Sequence, residues 1–208
     1  MTVLDLHVLP RAERSRTRKL RAAFFESFEK VHGAEPRIEL DLAQRVDELP
    51  KIDEWDVEAK FEVTYGAGEL DETLAQRWDA LSRLTDQLHL ARLIVVSTPM
   101  WNFSIPWHLK RWIDCVVQAR LTFQFDGKDF SGLLKDKRVI VLTTRDGVYT
   151  EGTPAAAMDH QLPYLRWVFS FMGCTDFTAI AADGMAWPGR EQSLDDACAR
   201  ARALAATL

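Results

Sequence analysis

The stretch Leu93-Ile94-Val95-Val96-Ser97-Thr98-Pro99-Met100-Trp101-Asn102-Phe103-Ser104-Ile105-Pro106 carries two signals end to end. Its first four residues are an uninterrupted apolar, largely β-branched run, the pattern of a strand buried on both faces. The residues that follow continue neither a strand nor a helix. Pro99 and Pro106 bracket Met100, Trp101 and Phe103 where a connecting loop should face water. These side chains share no periodic face, so core packing does not account for them. A rigid apolar loop around one amide suits a flat heteroaromatic ring with a polar edge, toward which Asn102 can both donate and accept.

Similar strand runs lie on either side. Val3 to Leu9 is a short apolar run stopped by Pro10, and Arg138 to Thr143 repeats the buried pattern. Phe177 to Ala181 is weaker, and Arg37 to Leu40 reads as an edge strand. Between them, apolar residues recur at helical spacing: Leu20, Phe24, Phe28 and Val31, then Leu74, Trp78, Leu81, Thr85 and Leu88. Leu109, Trp112, Ile113 and Val116 form a third stripe, and Leu162, Leu165, Phe169 and Met172 a fourth. Leu194, Ala197, Ala201 and Leu204 complete the set. Strand and helix alternate five times, which predicts an α/β fold: a five-stranded parallel sheet with helices on both faces. Such sheets bind ligands beyond the carboxyl ends of their strands, near the switch in strand order. One segment resists the scheme. Leu49 to Gly68 carries Trp55, Phe61 and Tyr65 without clear periodicity and reads as a long flap or insertion within a single domain, 1–208.

Composition narrows the function. A formal charge of −5 argues against bulk binding to nucleic acid or anionic membranes. No apolar run approaches the roughly 18–20 residues needed to cross a bilayer. Met1 to Leu9 lacks the pattern of a secretion leader. Cys115, Cys174 and Cys198 are unclustered and read as small core residues in a reducing compartment, so the expected address is the cytoplasm. The five histidines lack metal spacing, and no metal site is expected. His108, just past the aromatic loop, is the one to test, with helix packing the favoured reading.

Two further loops follow strands. In the first, Ser15 and Thr17 fall where a helix should begin, among Arg11, Arg14, Arg16, Arg18, Lys19 and Arg21. Hydroxyls and helix-end amides there suit a single terminal phosphate. Taken alone, this loop is better described as a capped helix with a solvated basic face. No GxGxxG or GxxxxGK[ST] motif occurs. The other loop, Thr143-Thr144-Arg145-Asp146-Gly147-Val148-Tyr149, offers the Thr144 hydroxyl and, at Gly147, close backbone approach to a ligand.

Pro99-Met100-Trp101-Asn102-Phe103-Ser104-Ile105-Pro106, followed by Leu109-Lys110-Arg111-Trp112-Ile113-Asp114, resembles the flavin loop of the FMN-dependent NADH-azoreductase and NAD(P)H quinone oxidoreductase family. That family reads Pro-Met-[Tyr/Trp]-Asn-Phe-x-[Ile/Val]-Pro, then Leu-Lys-x-aromatic-[Ile/Phe]-Asp. Ser15-Arg16-Thr17 resembles its Ser-x-Ser phosphate loop, and Leu121-Thr122-Phe123 its Val-Thr-Phe segment. Thr144-Arg145-Asp146-Gly147 stands where the family has Ser-Arg-Gly-Gly, and Tyr164 to Asp176 resembles a further shared stretch.

The resemblance implies a flavodoxin-like homodimer that holds FMN, takes electron pairs from NADH or NADPH, and passes them by a ping-pong route to quinones or azo compounds. It places Ser15, Arg16 and Thr17 on the phosphate. Pro99, Met100, Trp101, Asn102 and Phe103 then flank the ring, opposite Thr144, Asp146 and Gly147. Phe123, Tyr149 and Phe169 would line the substrate space. The flavin performs the electron transfer, so no catalytic triad is expected. Three positions depart from the family pattern. Leu9 replaces a frequent Ser, Tyr149 stands where some relatives have His, and Asp146 puts a charge beside the ring where a Gly is usual. The runner-up readings are an NADPH-dependent FMN or chromate reductase and a non-enzymatic flavodoxin-type electron carrier.

Overall fold

The computed structural model describes residues 1–208. Its centre is a five-stranded parallel sheet of β1 (Val3–His7), β2 (Arg37–Asp41), β3 (Leu93–Pro99), β6 (Arg138–Thr144) and β7 (Asp176–Ala182), in the order β2-β1-β3-β6-β7. The Arg37 strand lies at the edge, as its charged composition predicts. The long helices are α1 (Arg16–His32), α3 (Glu54–Tyr65), α4 (Glu72–Leu90), α5 (Trp107–Val116), α6 (Leu162–Phe171) and α7 (Arg190–Ala205). A single turn, α2 (Leu42–Arg45), follows β2, and a small hairpin pairs β4 (Phe123–Phe125) with β5 (Phe130–Gly132).

The unbroken apolar run in β3 follows from its position. Ile94 and Val96 join a core with Leu88, Trp112, Leu165 and Phe169 on one face of the sheet. Leu93 and Val95 join the other core, with Leu20, Phe24, Phe28, Leu194 and Ala201 from α1 and α7. A central parallel strand has no face left for water.

Two segments differ from the sequence expectation. The Leu49–Gly68 stretch contains a twelve-residue helix, α3, packed on α4. The Asp53 carboxylate accepts from the amides of Trp55 and Asp56, while the Asp56 carboxylate accepts from the Asp53 amide, a reciprocal cap. Ala59 and Val63 are buried, but Trp55, Phe61 and Tyr65 stay exposed. That outer apolar face is what erased the helical periodicity. The hairpin was also missed. It turns at Asp126, whose Oδ1 accepts from the amides of Lys128 and Asp129, and at Gly127 with φ +96°.

Candidate functional site

The strand order reverses between β1 and β3, and the loops that follow these two strands open a cleft at the sheet's carboxyl edge. After β1 the chain makes one short turn and enters α1 through Ser15, whose extended backbone and side-chain oxygen cap the helix by accepting from the Arg18 amide at 3.3 Å. The amides of Arg16 and Thr17 sit at the open helix end, where the dipole favours an anion. Thr17 is buried, and its Oγ1 lies 2.7 Å from Oγ1 of Thr144 at the end of β6. Arg16 Nη1 donates to the Met185 carbonyl at 3.0 Å, which anchors its side chain along the cleft wall.

The opposite wall is the aromatic loop. Trp101 and Ser104 exchange backbone hydrogen bonds, both 2.9 Å, around Asn102 at φ +45° and Phe103 at φ +69°. Two consecutive left-handed residues define a tight hairpin turn usually made with Asn-Gly, and Phe at the second position is a strained choice. The surroundings hold it in place. The Met100 amide donates to Thr144 O, and the His160 amide to Phe103 O, at 3.1 and 2.9 Å. Wholly buried Gln161 donates through Nε2 to Pro99 O and accepts from Thr143 Oγ1, both at 2.9 Å. With its backbone fixed this way, the turn leaves the Trp101 and Phe103 rings exposed. His108 packs between Trp107, stacked at 4.0 Å, and the edge of Trp101 at 5.9 Å. Burial lowers its pKa and keeps the imidazole neutral, in line with helix packing.

The third loop rests on a buried ion cluster. Arg145, 4% exposed, donates to both oxygens of Asp183 at 2.6 and 2.8 Å and to Asp159 Oδ2 at 2.6 Å. The other Asp159 oxygen accepts from the amides of Gln161 and Leu162 and so caps α6. Tyr149 lies over the Arg145 guanidinium at 5.2 Å and meets the Phe103 ring edge-on at 6.5 Å. The close approach that Gly147 permits is to this tyrosine. A Cβ on Gly147 would come within 3.0 Å of the Tyr149 ring.

Ser15, Arg16, Thr17, Pro99, Met100, Trp101, Thr144 and Asp146 therefore come together around one cleft of about 270 Å³. Asn102 and Phe103 stand on the exposed turn beside it, with Gly147 and Tyr149 next to them. Phe169 is a correction. It is completely buried with Leu165 and Met172, so it lines no surface of the chain. The helical stripe that contains it, rather than the family correspondence, describes its place. Phe123 belongs to another group, packed on Phe130 and Phe171 at the hairpin. Pro10, Arg11 and Met185 also line the cleft. Sequence reading missed the supports Asp159, Gln161 and Asp183, which lie far along the chain from the loops they hold and form no local motif.

A family model for the flavodoxin-like fold matches residues 1–205. An FMN-dependent NADH:quinone oxidoreductase of Gluconobacter oxydans is 37% identical over 205 residues, covering 91% of this chain and 93% of its own. The chain belongs to this family. Two azoreductase structures from Bacillus anthracis extend the family likeness to the whole fold. One superposes with a TM-score of 0.89 at 29% identity, covering 100% of both chains. The other, an FMN-dependent NADH-azoreductase in complex with FMN, gives 0.87 at 26% identity over 100% of this chain and 99% of its own. No helix of the protein is long and apolar enough to cross a membrane.

Proposed function

We propose that this protein binds FMN in the cleft and transfers electron pairs from NADH to quinones, with azo compounds as further substrates. One observation carries the reading: a buried hydroxyl cradle at a helix N-terminus and a rigid aromatic turn face the same cleft. The residues fit FMN chemically. Of the two hydroxyl protons in the Thr17–Thr144 pair, the internal bond uses one, which leaves the other for a phosphate oxygen. Ser15, the amides of Arg16 and Thr17, and the Arg16 guanidinium supply the remaining donors. Pro99, Met100 and Trp101 offer an apolar wall for the ring, and the neighbouring turn presents Asn102 and Phe103.

Bound FMN supplies the two-electron chemistry, and the protein binds and orients the reactants. Trp101 and Phe103 would shield the bound ring from water, and Tyr149, packed on Phe103, would border the space for donor and acceptor. Donor and acceptor would share this space and occupy it in turn. We assign the functional molecule as a homodimer. Trp167, Phe171, Phe130 and Phe125 form a continuous aromatic surface, with Trp167 64% and Phe130 61% exposed, an apolar patch of the kind that marks protein interfaces. Three free, buried cysteines suit a cytoplasmic setting.

The test combines FMN fluorescence quenching with steady-state kinetics on a panel of quinones. Saturable quenching and parallel double-reciprocal lines, with NADH varied at several fixed quinone concentrations, are the expected result. Protein that quenches no FMN fluorescence would end the reading, and intersecting lines would end the shared-space part of it.

A further inference from the structure

Asp146 is the one acidic residue on the wall of the cleft, where the cations are Arg11 and Arg16. Its carboxylate makes neither an ion pair nor a side-chain hydrogen bond, although an arginine precedes it in the chain. Arg145 is committed elsewhere, to Asp183 on one side and Asp159 on the other. Arg16 is turned to the Met185 carbonyl. The backbone under Asp146 is fixed too: Arg145 O accepts from Met185 N at 3.0 Å, and Asp146 O accepts from Ala186 N at 3.3 Å. A solvent-exposed carboxylate with no ion-pair partner, on a backbone held in place, therefore stands beside the Met100–Trp101 wall.

We propose that Asp146 sets the redox poise of this protein by disfavouring the reduced, more negatively charged form of the bound cofactor. The inference rests on the FMN reading above. Flavin gains negative charge when two-electron reduction is completed at neutral pH, so a nearby carboxylate raises the energy of the reduced form and leaves the oxidised form almost unaffected. Asp146 is exposed, so water screens part of this repulsion, and what remains is that of two like charges at the effective dielectric of about 20 found near a protein surface. The consequence is a stronger reductant: the loaded protein would serve acceptors of lower potential than it could with an uncharged residue at this position.

The experiment compares wild-type protein with Asp146→Asn and Asp146→Gly. For each, the dissociation constant of oxidised FMN is measured by fluorescence, and the midpoint potential of the bound flavin by equilibration with a reference dye. In both variants the affinity for reduced FMN is expected to rise relative to that for oxidised FMN on the order of tenfold, a positive shift of about 30 mV for two electrons. Equal tightening of both redox states would mean that the carboxylate opposes the phosphate rather than the ring, and it overturns the proposal. So does a shift seen in Asp146→Gly but not in Asp146→Asn, which assigns the effect to shape. The wild-type titration comes first, because wild-type protein that takes up no FMN removes the parent reading and this one with it.

Discussion

The Oγ1 atoms of Thr17 and Thr144 lie 2.7 Å apart and join the first turn of α1 to the carboxyl end of β6. The pair aligns the helix end with the third loop and leaves one hydroxyl proton to offer. Thr17→Val and Thr144→Val each keep the shape and break the pair. A hydrogen bond to a charged group contributes about 1.5–3 kcal/mol, so each variant should weaken FMN binding by about tenfold or more. Because the two hydroxyls share one bond, the double variant should lose less than the sum of the singles. Fluorescence titration measures all three, and strictly additive losses would show that the hydroxyls act independently.

Arg145 is the structural counterpart of that pair. Removing one member of a buried ion cluster costs about 3–5 kcal/mol, because the remaining charges keep their burial and lose their partner. Arg145→Met strands Asp159 and Asp183 and should lower the unfolding free energy in urea by that amount. Arg145→Lys should recover only part, since a single ammonium nitrogen cannot replace the three guanidinium nitrogens that reach Asp183 and Asp159 at once. Full recovery by lysine would mean that charge alone matters here.

The buried thiols predict an alkaline weakness. Burial pushes Cys115 up from 9.0 to about 12 and Cys174 from 9.0 to about 11. Unfolded thiols ionise near 9.0 while the folded ones stay protonated. Between pH 9 and 11 the native state therefore binds more protons, and stability falls as pH rises. Urea unfolding across that range should show the decline, and Cys115→Ala should flatten it. An identical slope in the variant would assign the pH dependence to other groups.

Association should depend on the aromatic surface at the hairpin. Light scattering of the wild type should give twice the chain mass of 23.7 kDa, and Phe130→Ser with Trp167→Ser should move the value toward the single chain. A double variant that stays dimeric places the interface elsewhere.

The centre of the sheet was legible because β1, β3 and β6 are buried on both sides. Ile94 and Val96 serve one core and Leu93 and Val95 the other, so the sequence had to be apolar at every step. Ser15, Thr17, Met100 and Trp101 were legible because each loop carries its chemistry in consecutive residues. Helix α3 was hidden by Trp55, Phe61 and Tyr65 on its outer face, although the Asp53 and Asp56 cap marked its start. The hairpin had a similar clue in Asp126-Gly127 between Phe-rich flanks. The cluster of Arg145, Asp159 and Asp183 was beyond reach, since only the folded chain brings those charges together.

The left-handed turn at Asn102 and Phe103 bears on how this protein could be improved. Glycine at 103 would relieve a backbone penalty on the order of 1–3 kcal/mol and so raise thermal stability. It would also delete the ring that Tyr149 packs against. Phe103 has the largest positive φ of the six non-glycine residues in this region, so selection for heat resistance alone would favour, among other changes, a substitution that removes part of the platform. Stabilising work on this scaffold belongs on surfaces away from the cleft, and a library scored by melting temperature should be scored for FMN binding as well.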